Sequence, residues 1–176
     1  MMRLFVALEP SPDFRQALAL LQGRLRDAGV TGRYLDPSNL HLTLAFIGMW
    51  PEDISACLPS VQQSFSITLS HLGVFPEAKV LWAGVEPSEA LNALAENVRR
   101  RLSEAGIPFD RKEFNPHITL VRKPVIPEGV HLSGIEVPPA AMTVRDVCLY
   151  RSDHTERGMA YTVIGRGGAC PFPPSN

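Results

Sequence analysis

The chain has 176 residues, 45% of them hydrophobic and 20% charged, with a formal net charge of −1. This length suits one domain with a buried core, and the charge balance excludes a global positive field able to hold a long nucleic acid. Any nucleic-acid substrate must then be gripped locally, through few phosphates. Cys57, Cys148 and Cys170 form no C-x-x-C pair, so they read as thiols of a reducing compartment rather than as a disulfide frame or a zinc site. The apolar run at 4–8 is ended by Glu9 and Pro10, too early for the core of a signal peptide. No run approaches the ~18 apolar residues of a membrane span. The expectation is a soluble cytoplasmic monomer.

Residues 4–8 are the first predicted strand. Ser11 is a good helix N-cap with Pro12 at the first helical position. The helix carries an apolar stripe of Phe14, Ala17, Leu18, Leu21, Leu25 and Ala28 and stops at Gly29. A loop then leads to N-L-H-L-T-L at 39–44. The stretch 54–63 reads as a short helix interrupted by Pro59, and 65–72 as a strand. From residue 80 the outline recurs. F-V-A-L-E-P-S (5–11) becomes W-A-G-V-E-P-S (82–88), and R-L-R-D-A-G (24–29) becomes R-L-S-E-A-G (101–106), both at an offset of 77 residues. N-L-H-L-T-L then becomes N-P-H-I-T-L (115–120) at an offset of 76. The second copy has its own strand (80–85), its own cap (Ser88), an apolar stripe of Leu91, Leu94, Ala95, Val98, Leu102 and Ala105, and a terminal Gly106. Further strands are predicted at 130–137, 143–151 and 160–166, and 167–176 reads as a loose tail.

Strands that are mostly antiparallel plus two long helices predict an α+β fold. We expect a single domain of two pseudo-symmetric lobes, with repeats at about 4–48 and 80–123. Each lobe would be a sheet with one helix on its outer face, and the two sheets would face a central cleft. The alternative is one continuous sheet with both helices on one side.

Alternate residues of a strand share a face. His41 and Thr43 therefore point one way and Leu42 and Leu44 the other, and His117 and Thr119 oppose Ile118 and Leu120 in the same manner. If the apolar faces fill the core, two imidazoles and two hydroxyls meet in the cleft. That set suits phosphodiester chemistry. One neutral imidazole can take a proton from attacking water while a protonated one gives a proton to the leaving oxygen. Hydroxyls can donate to the non-bridging oxygens as charge builds. One H-x-T match is weak evidence. Two, each within N-x-H-x-T-L at the same place in a repeat, are specific. The bland alternative is a pair of structural residues inherited by duplication.

At these residues the chain resembles the 2H phosphoesterase superfamily, and within it the RNA 2′,3′-cyclic phosphodiesterases, also called 2′-5′ RNA ligase-like. The resemblance runs through R-L-F-V-A-L (3–8), N-L-H-L-T-L-A-F-I-G (39–48), V-L-W-A-G-V (80–85), N-P-H-I-T-L-V-R (115–122) and L-Y-R-S (149–152). It implies a bilobal fold and hydrolysis of an RNA 2′,3′-cyclic phosphate end to a 2′-phosphomonoester, with no cofactor or metal. It implies His41 and His117 as catalytic residues, and Thr43, Thr119, Arg122 and Phe46 as substrate-binding ones. Arg122 matches the family's arginine five residues past the second histidine, and Phe46 would face the base. Both have the wrong strand parity to share the histidine face, so each must lie past a bulge or at a strand end. Many relatives carry a lysine where this chain has Ala45, which implies one phosphate contact fewer.

Other candidates carry less. His71, His131 and His154 lack an H-x-T context. No H-x-H or H-E-x-x-H pattern points to a metal. Arg99, Arg100 and Arg101 read as a solvated helix face, with RNA docking as the alternative. Arg111, Lys112 and Lys123 could line the cleft mouth. Ser152 has no nucleophile elbow around it. The expected partners are RNA ends or nucleotides carrying a 2′,3′-cyclic phosphate, with no membrane involved. A 2′-5′ RNA ligase, which runs the same chemistry backward, and a non-catalytic module that binds nucleotides or RNA ends stay open beside the phosphodiesterase.

Overall fold

The computed structural model describes residues 1–168. Cys170 and the expected tail from 169 onward lie outside them. The elements follow one another as β1 (Met2–Leu8), α1 (Pro12–Asp27), β2 (Thr31–Tyr34), β3 (Leu42–Trp50), β4 (Phe65–Phe75), β5 (Val80–Val85), α2 (Glu89–Glu104), β6 (Ile118–Val125), β7 (Ala141–Val144), β8 (Cys148–Thr155) and β9 (Gly158–Arg166). This is the expected α+β class, with a large antiparallel sheet and two helices.

Local signals form both helices as read. The Ser11 hydroxyl accepts the Phe14 N–H at 3.3 Å, and the Ser88 hydroxyl accepts that of Leu91 at 3.1 Å. At the far ends, Gly29 and Gly106 take positive φ values of 91° and 73°. The following residues close the same motif in both copies. Val30 N–H reaches back to the Leu25 carbonyl and Ile107 N–H to that of Leu102. The four side chains of this closure, Val30, Leu25, Ile107 and Leu102, are all buried.

The strand path is β7-β4-β5-β6-β3-β1-β8-β9, with β2 added on β6. In both copies the opening strand lies antiparallel to the histidine strand, β1 against β3 and β5 against β6. The two histidine strands join through a single residue pair, Leu42 opposite Ile118, and β2 of the first repeat adds its own pairs on β6. The strands thus form one sheet, as in the alternative architecture, with its narrowest link between β3 and β6. Leu42, Leu44, Ile118 and Leu120 belong to one core cluster with Phe14, Leu18 and Leu21 of α1 and Leu91, Val98 and Leu102 of α2. The helices therefore sit on the face opposite His41 and His117.

Both histidine strands carry a bulge at the equivalent residue. β1 pairs Val6 with Ala45 and then Ala7 with Thr43, skipping Leu44. β5 pairs Leu81 with Val121 and then Trp82 with Thr119, skipping Leu120. Leu44 and Ala45 are consequently both buried, as are Leu120 and Val121, and the alternation restarts one residue later. A bulge leaves a carbonyl without its ladder partner, and a side chain of the opposite copy's helix supplies the donor. Gln22 of α1 donates through Nε2 to the Leu120 carbonyl at 3.1 Å and to that of Leu35 at 2.9 Å. Arg99, 77 residues on, donates to the Leu44 carbonyl at 3.0 Å and to that of Lys112 at 2.7 Å. This explains why Gln22 is buried among apolar side chains, and it removes Arg99 from the solvated face on which the sequence placed it. Arg101 is likewise tied, to the Cys57 carbonyl at 3.0 Å.

Four expectations need correction. Residues 54–63 form only a three-residue turn, Ser55–Cys57, because Pro59 lacks an N–H and forces Leu58 to an extended ψ of 142°. Residues 130–137 form no strand. Their backbone is satisfied by local turns, among them Gly134 N–H to the His131 carbonyl and Ile135 N–H to that of Leu132. The strand read at 143–151 is two strands in different halves, since β7 pairs with β4 and β8 with β1. Residues 145–147 make that crossing. Finally β2, read as loop, pairs with β6.

Gln22→Leu keeps the volume and deletes both side-chain donors. The Leu35 carbonyl loses its partner and that of Leu120 keeps only the Leu35 N–H. A loss of about 1–3 kcal/mol is expected, read as a lower urea midpoint at unchanged m. An unchanged midpoint would show that the bulge needs no pin.

Candidate active site

His41 and His117 each stand one residue before their strand, at the junction of the two halves. His41 Nδ1 contacts the Asn39 carbonyl oxygen at 2.7 Å and His117 Nδ1 that of Asn115 at 2.6 Å. A carbonyl can only accept, so Nδ1 carries hydrogen in both rings and Nε2 is the nitrogen left to exchange a proton. The Asn39 side chain does separate work. It donates to the Met159 carbonyl at 2.8 Å and accepts the Tyr161 N–H at 3.3 Å, tying β9 to the His41 segment. Arg15 braces the same segment through the Pro37 carbonyl at 2.6 Å.

Aromatic side chains wall both imidazoles. Around His41 lie Phe5 at 4.6 Å, Tyr161 at 5.2 Å and Tyr150 at 5.8 Å between ring centroids. Around His117 lie Phe75 at 4.9 Å and Trp82 at 6.1 Å. Trp82 needs Gly73, its cross-strand partner, because a Cβ there would stand 2.3 Å from the indole. His71 packs against the same indole at 5.5 Å, a packing role outside the cleft.

This apolar lining governs ionisation. Burial pushes the His41 pKa down to about 4. The Asn39 carbonyl opposes that shift, and Arg122, His117 and Arg15 deepen it. His117 is also lowered, first by burial and then by Arg122, against the Asn115 carbonyl. In the unliganded site both rings therefore favour the neutral form at pH 7.

His41, Thr43, Phe46, His117, Thr119 and Arg122 all line one cleft of about 730 Å³. All six residues singled out in the sequence come together. The bulges resolve the parity problem, because they turn Phe46 and Arg122 to the histidine face. Ala45 lies in the core. The alanine itself does not line the cleft. Phe46 is 37% exposed, with the Arg3 guanidinium 5.2 Å over its ring. Of the three basic residues expected at the mouth, Lys112 lines the cleft, while Arg111 stacks on Phe109 at 4.4 Å. Glu77, Asp110 and Glu113 complete the rim. Sequence reasoning missed these acids and the aromatic walls. The equivalence of Phe5 and Trp82 at the 77-residue offset was the available signal for the walls. Among the described residues no three His, Cys, Asp or Glu side chains cluster as metal ligands, and no helix is long and apolar enough to cross a membrane.

The family model described as the 2′-5′ RNA ligase superfamily matches residues 4–156. A Thermotoga maritima protein named RNA 2′,3′-cyclic phosphodiesterase is 30% identical over 175 residues, 93% of each chain. An Archaeoglobus fulgidus protein of the same name is 33% identical, over 91% of this chain and 96% of its own. The crystal structure of Escherichia coli LigT complexed with 3′-AMP superposes with a TM-score of 0.75 at 27% identity, over 94% of this chain and 96% of that one. The chain belongs to the 2′-5′ RNA ligase superfamily.

Proposed function

We propose that the chain hydrolyses RNA 2′,3′-cyclic phosphate ends to 2′-phosphomonoesters without a metal, using His41 and His117 as its acid–base pair. The observation that carries this reading is two imidazoles in one cleft, each with Nδ1 fixed on a carbonyl and Nε2 left for the substrate. The names of the relatives point to the same reaction. The crystal structure of E. coli LigT complexed with 3′-AMP supports a nucleotide in the cleft.

In this mechanism a water oxygen attacks phosphorus, one neutral imidazole takes the water proton, and the P–O3′ bond breaks. The other imidazole, protonated, delivers its proton to O3′. Thr43 and Thr119 donate hydroxyl hydrogens to the non-bridging oxygens, and Arg122 balances their charge. Phe46 packs against the base at the cleft mouth. A positive charge on His117 lowers the affinity of His41 for a proton, so the pair favours a single shared proton, the state this chemistry needs.

Hydrolysis of a 2′,3′-cyclic nucleotide is expected to persist in excess chelator. His41→Ala and His117→Ala should each cost ~10²–10⁴-fold in kcat, with the double variant far short of the product of the two losses. Thr43→Val and Thr119→Val should cost on the order of 10–10³-fold. Melting temperatures measured on the same samples separate chemistry from folding. Activity restored only by divalent ions would sink the metal-free reading. Binding without turnover would leave a binding module, and joining of cyclic-phosphate RNA to 5′-hydroxyl RNA as the main product would make the chain a ligase.

The pH dependence has a definite sign. kcat/KM reports the free enzyme, where both imidazole pKa values are lowered. Its bell should peak on the acid side of pH 6.5. A bound phosphodiester anion favours imidazolium, so the kcat bell should lie at higher pH than that of kcat/KM. Two coincident profiles, or a kcat/KM maximum above pH 7.5, would contradict the pair as described.

A further inference from the structure

Beside the cleft runs a second groove of about 440 Å³, whose lining includes Arg26, Arg33, Arg157, Tyr34 and Tyr161. Arg122 lines both spaces, so the groove adjoins the cleft. Tyr161 is the other link, standing edge-on to His41 at 5.2 Å with the rings at 90°.

The charge of this groove is lopsided. It brings together Arg26, Arg33, Arg122 and Arg157 in a chain whose net charge is −1. Asp36 is the one carboxylate in the lining, and its Oδ1 is occupied by the backbone N–H and the hydroxyl of Ser38 at 2.9 and 2.7 Å. Among the described residues none of the four arginines makes an ion pair. Arg33 and Arg122 are also direct cross-strand partners on β2 and β6. Directly opposed like charges destabilise a strand pair. The arrangement therefore costs folding free energy, and a polyanion lying along the face would offset that cost.

We propose that this groove holds the single-stranded RNA body on the 5′ side of the terminal cyclic phosphate. The inference rests on the reaction proposed above and adds a substrate length to it. The cyclic phosphate occupies the end of the chain, so the remainder must leave through the 5′ oxygen of the terminal ribose. The Arg122 side of the cleft offers that path a run of guanidinium groups. Tyr34, already under the Arg26 guanidinium at 4.0 Å, and Tyr161 give the groove aromatic surface of the kind on which single-stranded bases stack. The family resemblance alone did not mark these residues, since Arg26, Arg33 and Arg157 lie outside both H-x-T segments.

The test compares 2′,3′-cyclic CMP with a single-stranded RNA pentamer ending in a 2′,3′-cyclic phosphate, on the full chain and on the Arg33→Gln, Arg157→Gln double variant, whose neutral side chains create no new ion pair with Arg122. Both residues are exposed, so the variant should fold. In the wild type, kcat/KM should be higher for the pentamer, and its logarithm should fall with log salt more steeply by ~0.7 for each extra phosphate held. The double variant should lose about tenfold or more on the pentamer while staying within about twofold on the cyclic mononucleotide. Equal losses on both substrates would place these arginines in the cleft chemistry and overturn the proposal, as would a pentamer with no advantage over the mononucleotide. Fluorescence anisotropy of a labelled pentamer ending in a 2′-phosphate, competed with cytidine 2′-phosphate, reads the groove without turnover. If the wild type hydrolyses neither substrate yet binds the pentamer tighter, and the double variant loses that difference, the reaction is wrong and the groove stands. If hydrolysis proceeds and the binding difference is absent, the reaction stands and the groove is wrong.

Discussion

Side chains alternate along a strand, so His41 and Phe46, five residues apart, begin on opposite faces of β3, and so do His117 and Arg122 on β6. One extra residue in each strand, Leu44 and Leu120, reverses that phase and brings all four to the same cleft. The two bulges are stable because their carbonyls find donors on the other copy's helix, Arg99 for Leu44 and Gln22 for Leu120. Each half of the molecule thus depends on the other for the geometry of its own histidine strand. A half on its own would have a bulge carbonyl facing a core with no donor, at a cost comparable to a lost buried hydrogen bond. The coupling ties the two repeated segments together.

The same construction explains the electrostatics. Packing the histidines between aromatic walls excludes water and penalises charge, which lowers both pKa values. Arg122 adds to the penalty in the empty cleft. In the proposed reaction an anionic phosphate would pair with Arg122, lower the penalty on imidazolium and so bring the working protonation state together with the substrate.

Legibility in the sequence followed locality. Ser11, Ser88, Gly29 and Gly106 bound their helices as read, because capping is satisfied within a few residues and needs no distant partner. The strands at 4–8 and 80–85 were read for a similar reason: short apolar runs between turn residues. The stretch 143–151 failed because an unbroken strand pattern carries no information about which neighbour each part pairs with, and Val144 and Cys148 belong to opposite ends of the sheet. Residues 130–137 had apolar alternation, but their backbone groups are met by local turns instead of a ladder. The polar strand β2 has no apolar alternation at all, and it exists because β6 offers it an edge.

By itself the sequence determined the internal repeat of segments, the two helices and the placing of His41 and His117 beside Thr43 and Thr119, since each is a pattern of residue type against spacing and such patterns survive without coordinates. It also set the requirement that Phe46 and Arg122 lie beyond a break in alternation. The tertiary structure decided where that break falls and what holds it. It also decided that Ala45 belongs to the core, and that Arg33 faces Arg122 in a groove beside the cleft. Those outcomes depend on which strand lies beside which and on which side chain reaches across to a carbonyl some 55 to 98 residues away. Contacts over that separation are fixed only when the whole sheet closes.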